Sequence, residues 1–383
     1  MPDRSRISPG AHSLQARLRK IISRLCRWYA SDHRSLPWRE TGDPYAIWIS
    51  EVMLQQTQVA TVLPYYERFM ARFPTIRNLE MAEPDEVLRL WQGLGYYQRA
   101  RHLIPAARSV VGMGAWPRTA EELAKLPGVG RSTAGAIASF AFGVRAPILD
   151  GNVRRVWYRL GALKLPKSAR TEQVLWSLSA QAVRRGDPSA INQALMELGA
   201  TLCLPKSPLC GSCILAGDCS AFALGDPGSF PPRRAVTVKP LFDVSVALLF
   251  HGDHFLVTRR AEKGLLGGLW ELPGGKWEEN EDGPAALHRE LREELGIEVS
   301  ILHRYPAIRH AYTHFGVRLH PFLCRIAGKR QPESALPMRW IRREDISTLV
   351  FPKGTLKIFD AVWSQGARRA AESAGLWDGV ERS

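Results

Sequence analysis

The chain has 383 residues, 45% of them hydrophobic, and no apolar run near the ~20 residues of a membrane helix, which argues against a helical membrane protein. That length can support two or three separate cores. Lys and Arg number 52 against 37 Asp and Glu, a net charge of +15 that favours a polyanionic partner, nucleic acid before membrane, with affinity falling as salt rises.

From Leu14 to about residue 223 the apolar positions recur at helical spacing, as in TEQVLWSLSAQAVRR and PSAINQALMELGATLC, so this part is expected to be all-helical. Within it, LPGVG at 126–130 lies between TAEELAK and RSTAGAIASFAFG and reads as helix, tight glycine turn, helix. Gly128 and Gly130 would let the backbone approach a phosphate, and the amides opening the next helix would point at the same anion.

Cys203, Cys210, Cys213 and Cys219 follow with six, two and five residues between them. Thiolates this close in sequence can converge on one soft metal centre at little loop-closure cost, and the spacing suits an iron-sulfur cube. Zinc and disulfides are the alternatives. Zinc ribbons more often carry two CxxC pairs, and the polar, basic start MPDRSRISPG has no apolar signal region, so a reducing cytoplasm is expected.

LGDPGSFPPRR crowds Gly and Pro into a stretch unsuited to helix or central strand, which places a connector at 224–240. Beyond it, DVSVALLF, HFLVTRR and VRLHPFLCRI read as strands and ALHRELREEL as a helix, giving a small α/β domain over 241–368 and a tail over 369–383. The fold class expected is therefore multidomain, an all-α domain followed by an α/β domain.

WISEVMLQQTQV, GLGYYQRAR, LPGVGRSTAGA, DGNVRRV, NQALMELGA and the four-cysteine loop, in this order, resemble the helix-hairpin-helix DNA glycosylases that carry a [4Fe-4S] cluster, above all the adenine DNA glycosylases of the MutY family. The resemblance implies excision of adenine opposite 8-oxoguanine or guanine in double-stranded DNA by a monomer. Breaking a purine–deoxyribose bond puts positive charge on the sugar and negative charge on the leaving base, so two carboxyls in different protonation states are needed. Glu51, inside the apolar stretch WISEVML, is the candidate acid, its pKa raised by burial. Asp150, at the turn DGN, is the candidate anion, kept ionised by backbone amides.

The remaining roles come from the resemblance alone. Asn152 and Ser132 stand where the family orients the acids and the attacking water, and Ser132 replaces the lysine of lyase members, implying a monofunctional enzyme. Gln55, Gln56 and Tyr96 match the residues that fill the stack after base extrusion, while Trp38, Arg39 and Glu197 match the adenine pocket.

In the second domain, Gly275, Glu281, Arg289, Glu290, Leu291, Glu293, Glu294, Gly296 and Ile297 satisfy the Nudix box of MutT-type nucleotide hydrolases. Glu290, Glu293 and Glu294 share a helical face whose repulsion a magnesium ion would offset. Either the domain clamps the damaged strand, or it also hydrolyses an oxidised nucleoside triphosphate; the first is favoured, because a box fixes a fold better than a substrate. Tyr312, Thr313 and His314 align with the family loop that reads 8-oxoguanine.

Overall fold

The computed structural model describes residues 9–166, 168–232, 239–262, 264–312 and 314–363. Thr313, the expected tail at 369–383 and part of the expected connector, 233–238, lie outside the described residues. The chain divides into two compact units, residues 1–82 with 102–235 and residues 83–101 with 236–383.

The first unit is helical. In the helix Pro9–Asp32, Leu14, Leu18, Ile21 and Leu25 recur every three or four residues and are fully buried with Trp157 and Leu195. Two helices begin on the same Asp-Pro device: Asp43 accepts from the Tyr45 and Ala46 amides to start Pro44–Leu54, and Asp187 accepts from Ala190 N–H at 2.8 Å to start Pro188–Thr201. The carboxylate satisfies free first-turn amides, and Pro sits where no amide hydrogen is needed. The short helix Ala120–Leu123 leads through the glycine turn into Arg131–Phe142, as its sequence predicts. Residues 224–232 pack with this unit, since Phe230 is buried in the helical core and the Arg159 guanidinium donates to the Pro227 and Phe230 carbonyls at 3.0 Å.

The second unit is built on a mixed sheet of β1 (Leu241–His251), β2 (His254–Arg259), β3 (Trp270–Glu271), β4 (Gly274–Lys276), β5 (Glu298–Arg304), β6 (Ile308–Ala311), β7 (Gly316–Ala327) and β8 (Met338–Ile341). The main path runs β3-β2-β1-β7-β5, with β1 and β7 parallel from Leu241↔Gly316 to Phe250↔Arg325 and the other pairs antiparallel. The run VALLF is apolar throughout because β1 is covered on both faces. Ala247 and Leu249 meet the cluster of Leu287, Leu291 and Leu295 on the helix Gly283–Leu295, while Leu248 and Phe250 meet that of Ile358 and Phe359 on the helix Lys353–Trp363. This unit also holds the helix Pro84–Trp91, with Val87, Leu88 and Trp91 buried, and the turn that follows it.

Candidate active site

Glu51 is the one carboxylate in the helix Pro44–Leu54, whose Tyr45 to Ser50, Val52 and Met53 are all buried. Its pKa is pushed up to about 8, first by burial and then by the charge of Asp150, with Arg39 opposing. A carboxyl so placed holds a proton at neutral pH. Asp150 is thus near enough for its charge to act on Glu51.

Asp150 caps the helix Gly151–Leu160 by accepting from Val153 N–H at 2.7 Å. The amides were expected to hold it in the ordinary range. Burial instead raises its pKa, against the pull of the Val153 and Asn152 hydrogen bonds and the Arg155 charge. Asp150 nonetheless accepts backbone hydrogen bonds that favour its anion, whereas the influence opposing the rise at Glu51 is the Arg39 charge. Asn152 accepts from an Arg155 guanidinium nitrogen at 2.8 Å. Ser132 Oγ accepts from Leu149 N–H at 3.2 Å, fastening the start of Arg131–Phe142 beside Asp150.

Glu197 is 1% exposed and held by two arginines. Arg34 donates from Nε and from a terminal nitrogen at 2.7 Å each, and Arg39 donates at 2.7 Å. Burial alone would raise this carboxyl, but those hydrogen bonds overcome it and hold the pKa at about 2. Trp38 is buried edge-on to Tyr66 at 5.0 Å. Arg34, Arg155 and Gly199 belong to this neighbourhood and were not singled out from the sequence. Arg155 lies inside the quoted DGNVRRV and Gly199 inside NQALMELGA, whereas nothing in HRSLPW marks Arg34. A Cβ on Gly199 would lie 2.5 Å from that of Asn152, so glycine permits the approach of the helices Gly151–Leu160 and Pro188–Thr201.

In the hairpin, Gly128 has φ +73 and a Cβ there would meet His102 at 2.6 Å, so glycine is required. Gly130 caps the next helix with φ −81, a backbone any residue could adopt, and a Cβ there would face open space. Gln55 donates to Thr133 Oγ1 at 3.1 Å. Gln56 (φ +58) and Tyr96 (φ +50), each in its own unit, are non-glycine residues in the left-handed region.

The four cysteines line one cavity together with Arg159, Leu198, Leu202 and Leu215. Burial first, then neighbouring sulfurs, pushes the Cys213 thiol up to about 11, against a Leu215 amide. Arg159, 2% exposed, reaches Cys203 Sγ at 3.3 Å and the Leu204 carbonyl at 2.6 Å. Among the described residues no three His, Cys, Asp or Glu side chains gather tightly enough for a single metal ion. Four thiols lining one cavity beside a buried guanidinium make a donor set that suits a soft, negatively charged metal centre.

A profile of the HhH-GPD superfamily base excision DNA repair proteins matches residues 49–181, and one of the NUDIX domain matches 245–361. The adenine DNA glycosylase of Homo sapiens is 36% identical over 395 aligned positions, covering 88% of this chain and 72% of the human protein. The chain belongs to the adenine DNA glycosylase family. The Arabidopsis thaliana adenine DNA glycosylase is 40% identical over 296 positions, 66% of this chain and 47% of its own length. A solved thermostable thymine-DNA glycosylase is similar to the helical part, with a TM-score of 0.51 at 30% identity over 55% of this chain and 99% of that one.

In this glycosylase the carboxylates of the Nudix box gather around the arginine of the same box. Arg289 donates to Glu281 at 2.7 Å, to Glu290 at 3.0 Å and to Glu293 at 3.3 Å, so its guanidinium already sits among them. Glu290 packs over Gly275, and Glu294 is pushed up to about 7 by the crowding of protein around it, then by Glu290 and Glu271. In the lesion loop, Tyr312 donates its N–H to the Phe315 carbonyl at 2.8 Å and its ring lies 5.0 Å from that of Phe315, while His314 is exposed.

Proposed function

We propose that this adenine DNA glycosylase excises adenine opposite 8-oxoguanine or guanine and leaves an abasic site. Glu51 protonates the departing base and Asp150 stabilises the oxocarbenium-like sugar, while Asn152 and Ser132 orient the acids and the attacking water. Trp38, Arg39 and Glu197 shape the adenine pocket. Gln55, Gln56 and Tyr96 fill the vacated stack, Gly128 and Gly130 bring hairpin amides to a phosphate, and Tyr312, Thr313 and His314 read the lesion. The observation that carries the reading is the pair of buried acids: burial raises both, driving Glu51 up to about 8, and at Asp150 it is opposed by backbone hydrogen bonds and the Arg155 charge.

Cys203, Cys210, Cys213 and Cys219 would hold a [4Fe-4S] cluster that fixes their loop, in the reducing cytoplasm such thiolates need. Among the described residues no helix is long and apolar enough to cross a membrane. One chain carries both carboxyls, which is compatible with action as a monomer. With Ser132 in place of a lysine, no Schiff base forms at that position and strand cleavage is not part of the reaction. The curated relatives do not favour a second activity on oxidised nucleotides.

The deciding experiment is single-turnover adenine release from duplex DNA with adenine opposite 8-oxoguanine, comparing wild type and Glu51→Gln, with alkali then used to reveal abasic sites. Free adenine from the wild type alone supports the assignment. Strand scission without alkali would refute the monofunctional step, and no adenine would refute the whole.

A further inference from the structure

Tyr96 ends an unusual turn. Gly93 (φ +96), Gly95 (φ +78) and Tyr96 (φ +50) place three left-handed residues within four, a conformation that for tyrosine persists only where its surroundings enforce it. The local enforcement is visible. Trp91 Nε1 and an Arg99 guanidinium nitrogen donate to the Gly95 carbonyl at 3.0 and 3.1 Å, and the same guanidinium lies 5.3 Å from the Trp91 ring and 5.4 Å from the Tyr96 ring.

Besides an exposed bond from Arg89 to the Thr348 carbonyl at 3.2 Å, three contacts anchor the turn to the sheet part of its own unit. Tyr97, 6% exposed, accepts from Gly93 N–H at 3.3 Å and donates the hydroxyl proton to the Phe351 carbonyl at 3.5 Å. Upstream, Arg259 at the end of β2 donates to Asp85 at 2.8 Å. Downstream, Arg101 donates to the Glu262 carbonyl at 2.7 Å and passes over Gly268, where a Cβ would lie 2.4 Å from its guanidinium. Each anchor joins a residue of 83–101 to one of 236–363, and the three bracket Tyr96 on both sides.

We infer that Asp85, Tyr97 and Arg101 are positioning residues through which the Nudix part holds Tyr96 ready for insertion into the DNA stack. This rests on the reading of Tyr96 as a residue that fills the stack. Its consequence is that the sheet unit contributes to base extrusion, not only to lesion recognition. Gly268 is explained in the same terms, as the space through which Arg101 reaches its carbonyl.

The test uses the full chain and duplexes carrying 2-aminopurine or adenine opposite 8-oxoguanine. Tyr97→Phe, which removes one oxygen and keeps the ring, and Asp85→Ala are each expected to slow the 2-aminopurine fluorescence rise and adenine release together, by about tenfold. In a Tyr96→Ala background neither should cost anything more, because the residue they position is gone. Asp85→Arg combined with Arg259→Asp should restore extrusion if Asp85→Ala acts through the lost ion pair. Wild-type fluorescence kinetics in both single variants, or losses that multiply with Tyr96→Ala, would overturn the proposal. A wild-type fluorescence rise without adenine release would instead sink the proposed chemistry and leave this inference standing.

Discussion

Arg155 donates to Asn152 Oδ1 at 2.8 Å while its Nε donates to the Cys203 carbonyl at 2.7 Å, so one guanidinium joins the residue beside Asp150 to the first cysteine of the loop. A third bond, to the Gly199 carbonyl at 2.7 Å, fixes its plane. Arg155→Lys cannot reproduce this fork. Single-turnover adenine release should fall about tenfold or more, with visible absorption from the cysteine loop retained. Unchanged release would show that the contact does not set the geometry of the acids.

Glu51 sets a pH dependence. With its pKa at about 8, the acid form persists through neutrality, and release should decline as pH rises past that value. Glu51→Gln should lose about 10²–10⁴-fold in rate. Stability falls with rising pH as well. A carboxyl raised on folding contributes most below its unfolded value, near 4.5, and loses that contribution as pH climbs to about 8. The melting temperature of Glu51→Gln relative to wild type should therefore increase across that window.

Glu197 gives the opposite sign. Held at about 2, its contribution is complete above the ordinary carboxylate value and is lost as pH falls from near 4.5 towards 2. Arg39→Ala removes one of two guanidinium partners from a buried anion and should cost about 2–3 kcal/mol in urea unfolding at pH 7. A loss below about 0.5 kcal/mol would mean that Arg34 alone suffices.

Gly128→Ala meets both a left-handed backbone and the His102 side chain. It should weaken binding to undamaged and mispaired duplexes alike, by about tenfold in fluorescence anisotropy, since hairpin amides touch phosphate and not bases. Gly130→Ala, in open extended backbone, should bind as wild type. Equal effects at the two glycines would refute this division of roles.

The helical half was legible because its cores follow a strict three-and-four spacing, and Glu51 was legible because a lone carboxylate stands in WISEVML. The strands β1, β2 and β7 and the helix Gly283–Leu295 matched their periodicities, whereas β3, β4 and β8, with two to four residues each, are too short to carry one. The parallel pairing of β1 with β7 joins residues 75 apart in the chain, 316 − 241 = 75, and leaves no local trace. The raised Asp150 pKa was missed for a related reason. Its amide donors are local and visible in DGN, but the burial that outweighs them comes from helices distant in sequence.

Gly199 gives the catalytic region an unusual sort of ruler. The distance between two helices is set there by an atom left out, and the backbone of one rests almost directly on the side chain of Asn152. A single methyl group on Gly199 would force apart that helix and the one Asp150 caps, so the spacing beneath the two acids is finer than one carbon's width.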